Sequence, residues 1–341
     1  MKTSYLLLIF CFSIILISCY GGGTGIERTC ENQYGLNSQT DLILTTQEKV
    51  DLAFTQTHVR GNVYIGTCPD MESSSITNLN GLRNLKKIDG SLLISETDIS
   101  IIQELDQLEE IGGELSFYMN SSLKEIKNIN SLRSVNELSF FGNEELLTIY
   151  GFNALTHCNN TLSINVNGNL ETIEGFNNLV HIGGDLSIES NSKLVKLKGF
   201  EQLKEVGQNI LLRSNIPIQK IEAFNNLTTI GEDLDLRYNW NLETMDFFKK
   251  LNRIEGRLII ENHKELKSLL GLSNLIFLGS QLYIADNLKL SDYCGLTPLI
   301  QTEGGLSVGD NGPPYNVPYF VIENNLFNPS RLDLFEGNCL Q

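Results

Sequence analysis

The chain has 341 residues, 41% of them hydrophobic, and carries 41 Asp and Glu against 25 Lys and Arg, a formal net charge of −16. That balance argues against a nucleic acid or an anionic lipid surface as partner, because either needs a basic patch. A chain of this length can build one continuous core, so one domain is expected.

At the amino terminus Lys2 precedes an uncharged apolar run from Leu6 to Ile17. The run is too short to span a bilayer as a helix and reads as a secretory signal over residues 1–18. Leu16-Ile17-Ser18-Cys19 closes it and resembles a bacterial lipobox. The resemblance implies cleavage before Cys19, a diacylglycerol on its thiol, and an exported protein anchored at an outer membrane or cell surface. Residues 19–28, rich in glycine, would then be a lipidated tether.

Residues 29–57 read as an amino-terminal cap. Asp41-Leu42-Ile43-Leu44 has the character of a strand. Thr45 followed three residues later by Glu48 predicts a helix start capped by Thr45. The helix would run through Lys49 to Phe54 and lay Val50 and Phe54 against the first rung of the repeat region.

From 58 to 311 the sequence repeats. One slot is filled in turn by Val63, Leu92, Leu115, Leu138, Leu162, Leu186, Ile210, Leu234, Leu258, Leu282 and Leu306, at intervals of 29, 23, 23 and then 24 throughout. Counting from Leu186, apolar residues recur at offsets 0, +2, +8, +11, +14, +17 and +20: Leu186, Ile188, Leu194, Leu197, Phe200, Leu203 and Val206. The 0/+2 pair is a short strand with Ser187 and Glu189 turned outward. The spacing of three from +8 onward fits bent extended segments or 3₁₀ turns equally well. A fixed period of this size is the mark of a solenoid, in which no turn buries its apolar face alone. The expected fold is mainly β, a right-handed parallel β solenoid of about 11 rungs with 23-24-residue repeats and short helices at both caps.

Offset +5 carries a polar column of Asn120, Asn143, Asn167, Asn191, Asn215, Asn239, Asn287 and Asn311, interrupted by His263. An amide at each turn can satisfy backbone groups freed where the chain leaves the strand, and can stack on its neighbour. The L-x-I-x-x-N-x-x-L pattern resembles a leucine-rich repeat. More narrowly, G-D-L-S-I-E-S-N followed by L-x-x-L-x-x-F-x-x-L-x-x-I resembles the receptor L-domain of insulin- and EGF-receptor ectodomains and of bacterial surface lipoproteins. The resemblance implies the fold and little about function, since such repeats carry many different binding surfaces.

Residues 312–341 read as a carboxy-terminal cap. Gly312-Pro313-Pro314-Tyr315 breaks the repeat, and 328–337 predicts a short helix with Asn328 as cap, Pro329 in first position and Gly337 as stop. Of the seven cysteines, Cys11 and Cys19 belong to the signal and the lipid, and Cys158 falls in the inward +20 slot as a core thiol. The remaining four cluster at the two ends, which suggests Cys30 with Cys68 and Cys294 with Cys339, each closing a cap over an end of the solenoid. No C-x-x-C occurs, so neither a zinc nor a redox site is expected, and no cofactor is implied.

Candidate chemistry is sparse. No G-x-S-x-G, Walker-type loop or H-E-x-x-H is present. His157, His181 and Glu205 fall on consecutive rungs and have the ligand types of a metal site. The plainer reading is a stack of exposed side chains, and no metal is expected. Tyr118 and Phe141 on adjacent rungs, and Tyr238 with Trp240 in the corner after Leu234, are the ligand-contact candidates, as exposed aromatics commonly anchor proteins or sugars. Glu189 with Arg213, and Arg237 with Glu261, read as cross-strand ion pairs. The expected function is non-enzymatic: a monomeric surface adhesin or recognition module binding protein or glycan. The alternatives are a structural envelope spacer and a glycan-binding or glycan-cleaving β-helix.

Overall fold

In the computed structural model of the chain, residues 30–37, 39–68, 71–72, 74–306 and 320–341 are described. The signal at 1–18, the tether at 19–28 with Cys19, Asn311 of the polar column and the break at 312–315 lie outside the described residues.

Ten repeat strands, rungs 1 to 10, form the long sheet: Val63–Gly66, Leu92–Ser95, Glu114–Tyr118, Glu137–Phe141, Leu162–Asn165, Leu186–Glu189, Ile210–Arg213, Leu234–Asp235, Leu258–Glu261 and Leu282–Ala285. All pair in parallel and slot for slot, so that Leu162 faces Leu186 and Leu186 faces Ile210. The +8 to +20 segments, which spacing left open, resolve into two further parallel sheets of short strands. One passes through the +11 slot, as at Lys196–Lys198, and one through the +20 slot, as at Glu205–Val206. Three-residue 3₁₀ turns occur as well, at Asn80–Leu82, Leu270–Leu272 and Cys294–Leu296. The three sheets wrap one core in which the +14 slot stacks Phe152, Phe176, Phe200, Phe224 and Phe248, with ring centroids 5.1–6.0 Å apart. Cys158 is fully buried in the same core, and burial pushes its thiol up to about 12.

At its ends the long sheet gains Leu42–Leu44 beside rung 1 and Phe320–Glu323 beside rung 10. The spacing assigned that last place to Leu306. Instead Phe320 sits opposite Leu282, and Leu306 bridges Leu278 in the +20 sheet. The cause is the helix Thr297–Gln301, which adds a turn: Leu306 arrives 24 residues after Leu282, where other rungs reach that sheet after 20. Among the described residues no helix is long and apolar enough to cross a membrane.

The asparagine column is a ladder on the inside of the corner after each strand, interrupted at His263. In each step Nδ2 donates to a strand carbonyl of the preceding rung, Asn143 to Phe117 at 2.9 Å and Asn191 to Ile164 at 2.8 Å. Each Oδ1 accepts the backbone N–H of the corner residue one rung back, as Asn191 does for Asn167 at 3.1 Å, Asn120 for Thr97 and Asn287 for His263. Asn325 closes the ladder, accepting from the Asn287 amide at 2.9 Å and donating to Ile284. The residue before each ladder position is left-handed, as at Ser190 (φ 59) and Ser214 (φ 57), and that turn aims the asparagine inward.

His263 breaks the pattern. It is fully buried, its Nδ1 lies 3.2 Å from Asn287 Oδ1, and its Nε2 has no partner. Having no side-chain oxygen, it also leaves the Asn239 amide N–H without an acceptor among the described residues. Burial lowers its pKa from 6.5 to about 4, with the Asn287 hydrogen bond acting the other way.

The caps differ in detail from expectation. Thr46, not Thr45, caps the helix Gln47–Leu52, accepting from the Lys49 amide, while the buried Thr45 hydroxyl donates to the Glu72 carbonyl at 2.6 Å. Val50 is buried as expected, but Phe54 is 56% exposed, because the helix tightens into a 3₁₀ turn that puts Ala53 in the inward place. At the other end Ser330 caps Arg331–Glu336 through a capping box with Asp333, and Gly337 ends the helix at φ 86. Asn328 instead holds Asn325, the last ladder residue.

Two predictions concern the ladder. Asn215→Leu should lower stability by about 1–3 kcal/mol in denaturant unfolding, because the Ile188 carbonyl and the Asn191 amide lose their partner. For His263, the unfolded chain takes up a proton near pH 6.5 that the folded chain refuses until about pH 4. Stability should therefore fall as pH drops through that window, by about 3 kcal/mol from this group. In His263→Asn the contribution should vanish and stability at neutral pH should rise, both read from unfolding curves against pH.

Candidate functional site

Outward side chains of the long sheet stand in three columns, at offsets −1, +1 and +3, because strand residues alternate between faces. The parallel register makes each column continuous from rung to rung.

Over the first rungs this face is covered. Ile43, Tyr64 and Leu93 are outward neighbours in the sheet, and the helix Cys30–Tyr34 lies on them, forming a second apolar cluster of Cys30, Leu36, Tyr64 and Cys68 apart from the main core. Tyr34 and Tyr64 rings lie 4.7 Å apart, and Tyr64 donates to the Thr67 carbonyl at 2.6 Å. The Cys30–Cys68 disulfide forms as expected, but it pins a strap over the sheet face instead of closing the end of the core. The reason is that Tyr64 and Leu93, apolar at outward positions, need cover. Cys294–Cys339 also forms and does close an end, since Cys339 and Leu334 pack on the main core.

Beyond the strap, rungs 3 to 6 share a serine floor. Ser116, Ser139, Ser163 and Ser187 are direct neighbours, with Ser163 and Ser139 hydroxyls 3.2 Å apart. Ser187 donates at 2.7 Å to Glu189 and lies 3.1 Å from Asn165 Oδ1. Tyr118 and Phe141 flank this floor and point outward as expected, half-buried and stacked with centroids 5.6 Å apart at 11°. Glu114 and Glu137 line its other side. Burial holds the Glu114 carboxyl above its ordinary value, and Glu137 adds to the effect.

From rung 6 to rung 8 the face is held by an ion cluster around Asp235, which is 1% exposed. Arg213 Nη2 donates to it at 2.6 Å, and Arg237 donates through Nε at 3.0 Å and Nη2 at 2.8 Å. The expected pair of Glu189 with Arg213 forms at 3.5 Å. The expected pair of Arg237 with Glu261 does not, because Asp235 on the same strand offers Arg237 a nearer and drier partner. Asp235 carried no signal in the sequence beyond its outward place in the alternation, which does not show that two arginines enclose it.

In the corner after rung 8, Tyr238 is left-handed and exposed, and Trp240 is half-buried. Lys264 from the next rung places Nζ 3.6 Å from the Trp240 ring centroid, so one face of the indole is covered by a cation. Lys264 carried no signal in the sequence beyond its place in the corner. The two aromatic pairs are therefore separate sites, and the ion cluster lies between them.

The histidine column lies elsewhere, on the outward side of the +20 sheet. His157 and His181 rings are 6.3 Å apart, and His181 Nδ1 is 3.7 Å from Glu205. Among the described residues no group of three His, Cys, Asp or Glu side chains is placed to hold a metal ion. A shallow groove of about 530 Å³ lies at the carboxy-terminal cap, lined by Leu332 and Phe335 among others, away from the long-sheet face. Chemically, the face offers hydroxyls, carboxylates and aromatic rings at repeat spacing, suited to hydrogen bonding and packing along an extended partner. No protein-family model matches the chain, and the comparison with curated proteins gives no match.

Trp240 is the only tryptophan, so its fluorescence reports the corner alone. Lys264→Ala should uncover the ring and increase acrylamide quenching, with a stability loss of about 0.5–1 kcal/mol.

Proposed function

We propose that the protein is an exported, lipid-anchored recognition module that acts by binding a protein or glycan, without catalysis, on the outward face of the long sheet. The observation that carries this is the face itself. Over rungs 3 to 8 it presents a serine floor, a stacked aromatic pair and a buried ion cluster in strict register. Such a strip spans roughly 25 Å at the usual strand spacing. The register holds the side chains in place before any partner arrives, which lowers the entropy lost on binding.

Export is supported by the apolar run ahead of Cys19 and by two disulfides, which persist in oxidising compartments. A lipid on Cys19 would hold the protein at a surface while the solenoid remains in solvent. It would act there as a monomer. The acidic balance suits such exposure by keeping copies apart.

Screening the purified chain against glycan and secreted-protein arrays tests the reading. A saturable partner should be lost with Ser139→Lys/Ser163→Lys, which fills the floor, and retained with His157→Ala/His181→Ala on the +20 sheet. Partners indifferent to the first variant, or no partner at all, would move the weight to a spacer.

A further inference from the structure

Rungs 3 and 5 depart from the usual choice of residue at one turn of the repeat. The left-handed residue before the ladder is Gly142, Ser190, Ser214, Asn262, Asp286 or Asn324 in six places, small or polar types that suit the conformation, and Glu96 and Tyr238 hold it in two more. At Met119 (φ 52) and Val166 (φ 60) it is a wholly apolar side chain, and for a β-branched residue the conformation is a true outlier. Burial does not compensate, since Met119 is 44% and Val166 46% exposed. Met119 follows Tyr118 in the chain and its side chain lies close to Gly142, which follows Phe141, while Val166 stands one rung further on; with the half-buried Tyr118–Phe141 stack they make an apolar strip over three consecutive rungs.

The surroundings of the strip are acidic. Glu96 and Glu144 lie in the corners after rungs 2 and 4, Glu114 and Glu137 lie across the serine floor from the strip, and none of the four has a lysine, arginine or histidine partner among the ion pairs of the described residues. The outward columns of rungs 1 to 6 contain no Lys or Arg at all. On rungs 7 to 9, by contrast, Arg213, Arg237 and Arg257 neutralise the aspartates beside them. Uncompensated carboxylates around an apolar strip attract cations and leave room for one side chain that is not charged.

We infer that the strip docks a cationic polypeptide segment, an apolar or aromatic side chain lying on Tyr118, Phe141 and Val166 while lysines or arginines pair with the carboxylates around it. A neutral sugar fits less well, because it would leave the carboxylates around the strip without the counter-charge that lysines and arginines supply. The inference rests on the recognition reading above and narrows it to one partner class. It also separates the strip from Trp240, whose ring is already engaged by Lys264.

The test is equilibrium binding of the purified full chain to two immobilised peptides of equal length, one alternating arginine with tryptophan, the other glutamate with tryptophan. The cationic peptide should bind about tenfold tighter or more, and the preference should shrink at high salt. Tyr118→Ser/Phe141→Ser should abolish binding, Glu114→Gln/Glu137→Gln should weaken it about tenfold, and Trp240→Ala should leave it unchanged. Circular dichroism and protection of the Cys158 thiol verify the fold of each variant. Equal affinity for both peptides, or indifference to both double variants, overturns the inference. A different partner that is lost with Ser139→Lys/Ser163→Lys but not with these variants overturns it while keeping the recognition face. No binding by any partner overturns both.

Discussion

Everything in this molecule depends on the hydrogen bonds of the inward asparagines. A chain that turns a corner after every strand frees backbone donors and acceptors inside a dry core, and each must find a partner. One asparagine per turn meets the need on both sides, its Nδ2 donating to a strand carbonyl and its Oδ1 accepting the neighbouring asparagine's N–H, so identical residues satisfy each other. The left-handed residue that aims the amide inward follows from the same requirement. A one-residue slip in any rung would break two ladder steps and turn an apolar strand residue outward, so the ladder and the core enforce one register.

The register is also what gives the outer face its meaning. Because rung follows rung without shift, an outward column is a row of side chains whose chemistry is written one repeat at a time. The core slots barely vary, while the outward slots change from Tyr64 under its strap, to serines with an aromatic stack, to arginines around Asp235. A frame that holds its backbone constant leaves those positions free to specify a partner.

Much of this was legible in the sequence. The intervals of 23 and 24 placed the strands of the long sheet, Cys158 in the core and Asn120 to Asn287 on the inside, because a parallel solenoid converts period directly into position. What escaped was whatever depends on partners off the period. The helix Thr297–Gln301 delayed Leu306 by a turn and gave its place to Phe320. Ser330 beside Asn328, and Thr46 beside Thr45, were equally good caps by residue type, and only the reach of their oxygens separates them. On the face, alternation marked Tyr118 and Phe141 as outward and the corner position marked Trp240 as exposed, but the arginines on Asp235 and Lys264 over Trp240 come from neighbouring side-chain conformations that no spacing encodes.

Native-state hydrogen exchange at the backbone amides of the ladder probes this constraint most directly. If the amides are what fixes the coil, the N–H groups of Asn143, Asn167, Asn191 and Asn215 should exchange only with global unfolding, as slowly as the strand centres. The Asn239 N–H, left without an acceptor by His263, should exchange markedly faster. Fast exchange along the whole column, with the strands still protected, would show that packing alone holds the solenoid and that the asparagines only occupy its corner.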